Sequence, residues 1–284
     1  MLHVEMCFQE MFGKLVGGSG WETLFHDAKI YESGVCTSLL GGKFIKRTRY
    51  AYELTLVWLD LMGKRAYKHY LEQSGPHEPF QVWEDRLAAT CPTIKFWVLV
   101  RDYLLVYMVF IRGQRSGNWN DTLIALKYMC PWFFVFGHIN YGRWVPVFLR
   151  DMCLLPDTHP EIHDAFVKGL FVVQRSNSKF STMALDQSQE HSIRYLKEYG
   201  GSLGLYNDKK EKEVSEISRP ELLRVIEEFE SHLSGLTGNA CEHKDVSQAA
   251  QTRLKRDVEA LTILCRERSD YQSLPRTKFR FNNS

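Results

Sequence analysis

A basic segment with interleaved aromatic residues is the first feature of the sequence that could bind a ligand. The segment Lys43–Tyr52 reads KFIKRTRYAY. Its four cations are Lys43, Lys46, Arg47 and Arg49. Cations neutralise phosphates and aromatic rings stack on exposed bases, so this composition predicts a surface for DNA or RNA. The alternative is a solvated helix start whose cations pair with nearby acids. A second basic group near the C-terminus consists of Arg276, Lys278 and Arg280.

A polar cluster lies within a strongly apolar part of the chain. It consists of His138, Asn140, Tyr141 and Arg143. Such a group is either a functional polar site or a hydrogen-bonded network that fixes the geometry of the surrounding helices. The residue types alone leave both interpretations open.

Metal-binding and nucleophile motifs are weak in this sequence. Cys153, His159 and His163 superficially resemble zinc spacing, but Pro160 places His159 at or before a helix start, and there is no CxxC pair. The glycine clusters lack the strand, helix and lysine of a phosphate-binding loop. We therefore predict no zinc site and no nucleotide loop from motifs alone.

Charge and cysteine content restrict the class of protein. The 284 residues include 36 basic and 34 acidic side chains, so no overall basic field exists and any nucleic-acid binding must be local. Seven widely spread cysteines predict reduced thiols and an intracellular protein, in either the nucleus or the cytoplasm. The apolar stretch Thr93–Ile111 carries Arg101 and Asp102 at its centre, which predicts a buried helix and no membrane span.

Hydrophobic periodicity predicts a mainly α-helical, irregular multi-helix domain with at most a short strand or two. Helices are expected over Lys43–Gln73, over Phe80–Thr90 and from Pro92 onward, and a strand over Leu170–Gln174. Asp186 is placed to cap a later helix. Pro131 and Pro146 are expected to interrupt the aromatic-rich segment, in which Trp132–Phe136 could be helix or strand.

Composition divides the chain into three parts. Residues 1–204 form an aromatic-rich helical core, residues 205–218 a charged linker, and residues 219–284 a helical pair with a basic tail. The pair is expected over Pro220–Leu233 and Asp245–Arg268. Each of its helices carries an apolar stripe that could contact a protein partner.

Several segments together resemble a known group of proteins. They are Gly20–Leu56, Phe133–Met152, His159–Ser181 and Asp186–Ile193. In this combination they resemble an uncharacterised, mobile-element-associated, transposase-like family multiplied in invertebrate genomes, over about Gly20 to Gly204. The resemblance implies a ribonuclease-H-like ancestor in which carboxylates hold two Mg²⁺ ions for phosphoryl transfer. The carboxylates here would be Asp186 and Glu190, one turn apart on one helix face.

Departures from that family pattern favour a chain without catalysis. An aspartate usually precedes the histidine of the family's HxNY motif, whereas Gly137 stands before His138 here, and glycine neither binds a metal nor moves a proton. A ribonuclease-H-like sheet also needs several strands. We therefore expect a non-catalytic fragment of this lineage with residual nucleic-acid binding and no cofactor. The alternatives are a divalent-metal-dependent nuclease or strand-transfer enzyme, and a helical protein-protein interaction module.

Overall fold

Helices make up almost all of the regular structure, as the periodicity predicts. The computed structural model describes residues 1–73, 77–176, 180–199 and 248–270, and within these it contains eleven α-helices and one small sheet. The helices are α1 (Leu2–Val16), α2 (Trp21–Asp27), α3 (Ser33–Leu40), α4 (Ile45–Leu71), α5 (Phe80–Thr90), α6 (Pro92–Ser116), α7 (Trp119–Val135), α8 (Ile139–Thr158), α9 (Pro160–Val167), α10 (Leu185–Tyr199) and α11 (Gln248–Asp270). The strands are β1 (Val172–Gln174) and β2 (Thr182–Ala184).

Helix α6 lies at the centre and packs against α1, α4, α5 and α7. Pro92 occupies its first turn, where a missing N–H is harmless, and Gly117 ends it in the left-handed conformation at φ 68°. Its inward positions are large, with Tyr103, Tyr107 and Phe110 fully buried. No helix of the described residues is long and apolar enough to span a membrane.

Arg101, near the middle of α6, forms its closest ion pair with a residue of another helix and not with its sequence neighbour Asp102. Its guanidinium makes two contacts with the buried carboxylate of Glu84 on α5, one of them 2.7 Å from Nη2 to Oε2. Asp102 is mostly exposed and lies 3.3 Å from Arg101. The buried charge is therefore satisfied between helices, which a reading of the α6 sequence alone could not show.

Aromatic rings fill the space between α1, α4 and α6. Phe8 stacks on Tyr103 with ring centroids 4.0 Å apart, and Phe12 lies 4.1 Å from Tyr52. The Tyr103 hydroxyl donates to the carbonyl oxygen of Phe8 at 2.6 Å, and the Tyr52 hydroxyl donates to that of Gln9 at 2.9 Å. These bonds satisfy the buried hydroxyls and fix the position of α1 against its neighbours.

Helix α1 crosses α3 at a glycine. A Cβ added to Gly13 would lie 1.9 Å from the carbonyl oxygen of Leu40 and 2.6 Å from its carbonyl carbon. Both atoms belong to backbone and cannot rotate away. Only glycine allows the two helices to approach this closely.

The prediction that Pro131 and Pro146 interrupt the aromatic-rich segment is wrong. Pro131 lies inside α7, and both Pro146 and Pro156 lie inside α8. All three proline rings are exposed, so none of them has to be packed into the core where the helix bends around it. Consequently Trp132–Phe136 continues α7 through Val135 and forms no strand.

The small sheet confirms part of the predicted strand. Val172–Gln174 pairs antiparallel with Thr182–Ala184, with Val173 opposite Met183. The Thr182 hydroxyl donates to the carbonyl oxygen of Gln114 at 2.6 Å, which attaches β2 to α6. The chain then enters α10 directly.

Helix α11 packs on α2 and α4. Val258 and Leu261 are buried in the same core as α1 and α6, and the Tyr50 hydroxyl donates to Asp257 Oδ2 at 2.7 Å. The apolar stripe predicted for this helix therefore faces the rest of the chain. The predicted linker, residues 205–218, and the predicted helix over 220–233 lie outside the described residues.

Candidate nucleic-acid interface

The start of α4 presents the cations predicted from the basic segment. Phe44 is the N-cap residue and adopts a left-handed conformation at φ 58°, and the first turn that follows contains no acidic residue. Lys43, Lys46 and Arg47 are exposed. Cations at a helix N-terminus oppose the helix dipole at about 0.3–1 kcal/mol each, and a bound anion removes this repulsion.

An exposed aromatic ring lies among these cations. Phe44 is 55% exposed, and the guanidinium of Arg47 lies over its ring at 5.5 Å from the centroid. Buried Thr48 stabilises the turn, because its hydroxyl donates a hydrogen bond to the carbonyl oxygen of Lys43 at 2.7 Å. The ring is thus kept at the surface by a fixed backbone, which is the arrangement that base stacking requires.

Arg49 does not belong to this surface, which corrects the predicted set of four cations. Its Nε and Nη2 lie 2.6 Å from the two carboxylate oxygens of buried Glu5 on α1. The Tyr107 hydroxyl also donates to Glu5 Oε1, at 3.0 Å. Burial lowers the pKa of Arg49, but the hydrogen bonds and charge of Glu5 outweigh it, so the pKa is raised. Arg49 joins α4 to α1 and is not offered to phosphate.

Arg253 on α11 extends the surface instead. Its guanidinium lies over the ring of Tyr50 at 4.4 Å from the centroid, and its Nε lies 3.6 Å from Asp257 Oδ2. Unlike Arg49, its side chain is about half exposed. Burial raises the pKa of Tyr31, while the positive charges of Arg253 and Arg47 both lower it. We define the basic surface as Lys43, Phe44, Lys46, Arg47 and Arg253. Sequence reasoning missed Arg253 because it lies about two hundred positions away from the segment, in an unremarkable charged helix.

The predicted polar cluster does not converge on one point. Asn140 and Arg143 are exposed, whereas the Tyr141 ring stacks on Phe133 with centroids 5.5 Å apart. Burial and a hydrogen bond with Cys7 raise the pKa of Tyr141 to about 12. Burial also raises the pKa of the Cys7 thiol, so this cysteine is not an activated nucleophile. The Nε2 atom of His138 is buried and has no hydrogen-bond partner in the described part of the chain.

Asp186 caps a helix, but not the one predicted. Helix α10 begins at Leu185, and the carboxylate of Asp186 turns to the N-terminus of α1. There its Oδ2 lies 2.6 Å from the Met1 amino nitrogen. Burial raises the pKa of Asp186, but the backbone N–H groups of Leu2 and His3 and the charge of the amino group outweigh burial and leave this pKa lowered.

Glu190 lies beside the same helix end. Its side chain is half exposed, and its Oε1 is 3.9 Å from Nε2 of His3. Between residues 1 and 199, and in α11, no group of three His, Cys, Asp or Glu side chains that the structure describes could hold a metal ion. The contacts of Asp186 and Glu190 in this structure are therefore with α1.

Substituting Asp186 with alanine should lower the free energy of unfolding by about 1 kcal/mol at pH 7, because α1 loses a charged cap. A carboxylate with a lowered folded pKa stabilises the protein above its unfolded pKa, and this stabilisation is lost as pH falls through the folded value. The difference between the two proteins should therefore shrink as the pH falls below 3.8, the ordinary value for this group. Urea denaturation at pH 7 and at pH 3 measures it; an equal difference at both pH values would contradict the capping role.

The fold and its surfaces define an aromatic-rich helical domain with an exposed basic surface. A family model described as a domain of unknown function (DUF8702) matches residues 77–276, and the chain belongs to this family. The match begins just before α5 and includes α11, whereas Lys43–Arg47 precede it. No curated protein and no solved structure matches the chain.

Proposed function

We propose that this protein binds single-stranded nucleic acid through the basic surface. The observation that carries the proposal is the group of three exposed cations around a half-exposed phenylalanine at the start of α4. In the described residues none of these three cations has an acidic partner within ion-pair distance. Their charge is therefore available to an incoming phosphate.

The chemistry of the surface favours a single strand over a duplex. Phosphates would lie against Lys43, Lys46 and Arg47, and the free N–H groups at the start of α4 add to the attraction. A base would stack on Phe44, which requires the base to be unpaired. Arg253 would contact the strand as it leaves α4 and passes α11.

Binding of this kind agrees with a transposase-like ancestry, which we include in the proposal on the strength of the sequence resemblance. A protein of that lineage that retained its contacts with DNA or RNA and lost its chemistry would need a local basic surface and no metal centre. The near-zero net charge is consistent with such local binding.

Reversing two charges tests the proposal. In Lys46→Glu, Arg47→Glu protein we expect the affinity for a labelled single strand of about 20 nucleotides to fall about 10-fold or more at low salt. The slope of log affinity against log salt should become shallower by roughly 1.4, because each lost phosphate contact removes about 0.7. Fluorescence anisotropy at several salt concentrations measures both quantities.

The matched control is Lys127→Glu, Arg143→Glu, which changes the net charge equally on α7 and α8, where both side chains are exposed. This control should bind with nearly unchanged affinity. Equal losses in the two variants would show that binding is a general effect of charge and would contradict a defined surface. A second variant, Phe44→Ser, should weaken binding of the single strand and leave duplex binding unchanged.

A further inference from the structure

Helix α7 exposes an apolar stripe to solvent. Its outward positions Ile124, Tyr128, Pro131 and Val135 follow the i, i+4, i+7, i+11 spacing of one helix face. Phe134 lies at the edge of the same face. The four large side chains other than proline are each 51–71% exposed. The opposite face of α7 is packed in the core through Leu126, Met129 and Phe133. Within the described part of the chain, the exposed face of α7 therefore carries large apolar side chains that no other element covers.

The exposed face continues onto α8. The ring of Phe134 lies against Gly142, where an added Cβ would meet ring carbons at 3.1 Å. Ile139, one turn before Gly142, is 66% exposed. The turn between the helices contains Gly137 at φ 73°, and nothing lies within 4 Å of a Cβ added there. We call Ile124, Tyr128, Phe134, Val135 and Ile139 the apolar stripe; it runs about 16 Å along α7.

The unpaired exposed charges beside the stripe are positive. Between Thr122 and Leu149 the sequence contains no aspartate or glutamate, although the chain carries 34 acids in 284 residues. Lys127 lies on the outward face of α7, and Arg143 lies one turn beyond Ile139 on α8; both are exposed. Large exposed apolar patches mark interaction surfaces. Asp121, one turn before Ile124, pairs with Arg112, and Glu10 on α1 pairs with Lys14. Among the described residues, Lys127 and Arg143 have no ion-pair partner, so they leave this patch with a positive border.

We propose that the apolar stripe is a docking site for an amphipathic helix of a partner protein whose apolar face is bordered by acidic residues. A helix laid along α7 would cover the stripe with apolar side chains at i, i+3, i+4 and i+7, and its acids would pair with Lys127 and Arg143. A second copy of this chain fits poorly, because a symmetric contact would bring these cations together with no acid in either stripe. The apolar stripe is elongated and extends three turns along α7 from the α7–α8 turn. This shape fits a helix laid along α7 better than a lipid surface, which would contact only the α7–α8 turn.

The test uses the full chain and a labelled helical peptide of about 18 residues with leucines on one face and glutamates along both edges. A second peptide has lysines in place of the glutamates. We expect the acidic peptide to bind at least 10-fold more tightly than the basic one. Ile124→Ser, Val135→Ser and, separately, Lys127→Glu, Arg143→Glu should each weaken it about 10-fold or more. Both pairs of residues are exposed, so the fold should persist, which circular dichroism checks.

Two controls distinguish peptide binding at the apolar stripe from nonspecific apolar binding and from binding at the basic surface. Leu99→Ser, Leu105→Ser removes two exposed apolar side chains from α6 and should leave peptide binding unchanged. Lys46→Glu, Arg47→Glu should also leave it unchanged, while it weakens binding of the nucleic acid.

Four results would overturn the proposal. They are equal binding of the two peptides, loss of binding in the α6 control, binding to vesicles containing anionic lipid that the stripe variants abolish, and a concentration-dependent dimer that the same variants dissociate.

Discussion

Replacing Arg49 with methionine is expected to lower the free energy of unfolding by about 3–5 kcal/mol. The methionine retains the apolar stem but leaves the Glu5 carboxylate buried without its cation, beside the Tyr107 hydroxyl and the Gln9 amide. A buried carboxylate without a partner must either become protonated or open the contact between α1 and α4. Urea denaturation followed by circular dichroism gives the change.

A second substitution distinguishes loss of the ion pair from loss of packing. The double variant Glu5→Met, Arg49→Met removes both charges and should recover much of the stability lost in the single variant. Arg47→Met, on the exposed neighbouring position, should change stability by less than about 0.5 kcal/mol. If the Arg49 and Arg47 variants were equally stable, the buried pair would not be a determinant of the fold. Charge reversal at Arg49 is for this reason unsuitable as a test of nucleic-acid binding.

Replacing Gly13 with alanine is expected to destabilise the protein by about 3 kcal/mol or more. The added methyl group would lie 1.9 Å from the Leu40 carbonyl oxygen, so α1 and α3 must separate. An overpacked contact with backbone cannot be relieved by a change of rotamer. Thermal denaturation should show a fall in Tm of at least 5 °C, given the usual scale for a domain of this size.

Gly34 in α3 offers the matched control. A Cβ there meets nothing within 4 Å, so alanine gains helix propensity and should stabilise the protein by about 0.5–1 kcal/mol. The two glycine substitutions are chemically identical and are expected to have opposite signs. Similar effects of the two would mean that α1 and α3 do not approach as closely as the structure shows.

Helices whose sequences contain local features such as an N-terminal proline or hydrophobic periodicity were predicted correctly. Helix α5 occupies the predicted range, and α6 begins at Pro92, because an N-terminal proline and hydrophobic periodicity are read from neighbouring residues. Pro131 and Pro146 misled the prediction, since a helix can bend and continue past a proline whose ring lies on its solvent-exposed side. Solvent exposure is a tertiary property and is absent from the local sequence.

In the candidate site, too, local sequence predicted some features, whereas others depend on tertiary contacts. The segment around Arg47 was recognisable as basic and aromatic, and its exposed members lie where a phosphate could reach them. Nothing in that segment distinguishes Arg47 from Arg49 two positions later, because the difference is the presence of Glu5 on another helix. Arg253 could not be assigned either, since only the packing of α11 on α4 brings it near Tyr50.

The contact between Tyr50 and Asp257 joins residues separated by 207 positions, and it has a consequence for how the chain matures on the ribosome. Helices α2 and α4 are synthesised early, but α11, which covers them, is synthesised about two hundred residues later. Until then the nascent protein exposes an apolar face of the kind that chaperones bind. The core is therefore complete only after α11 has been synthesised.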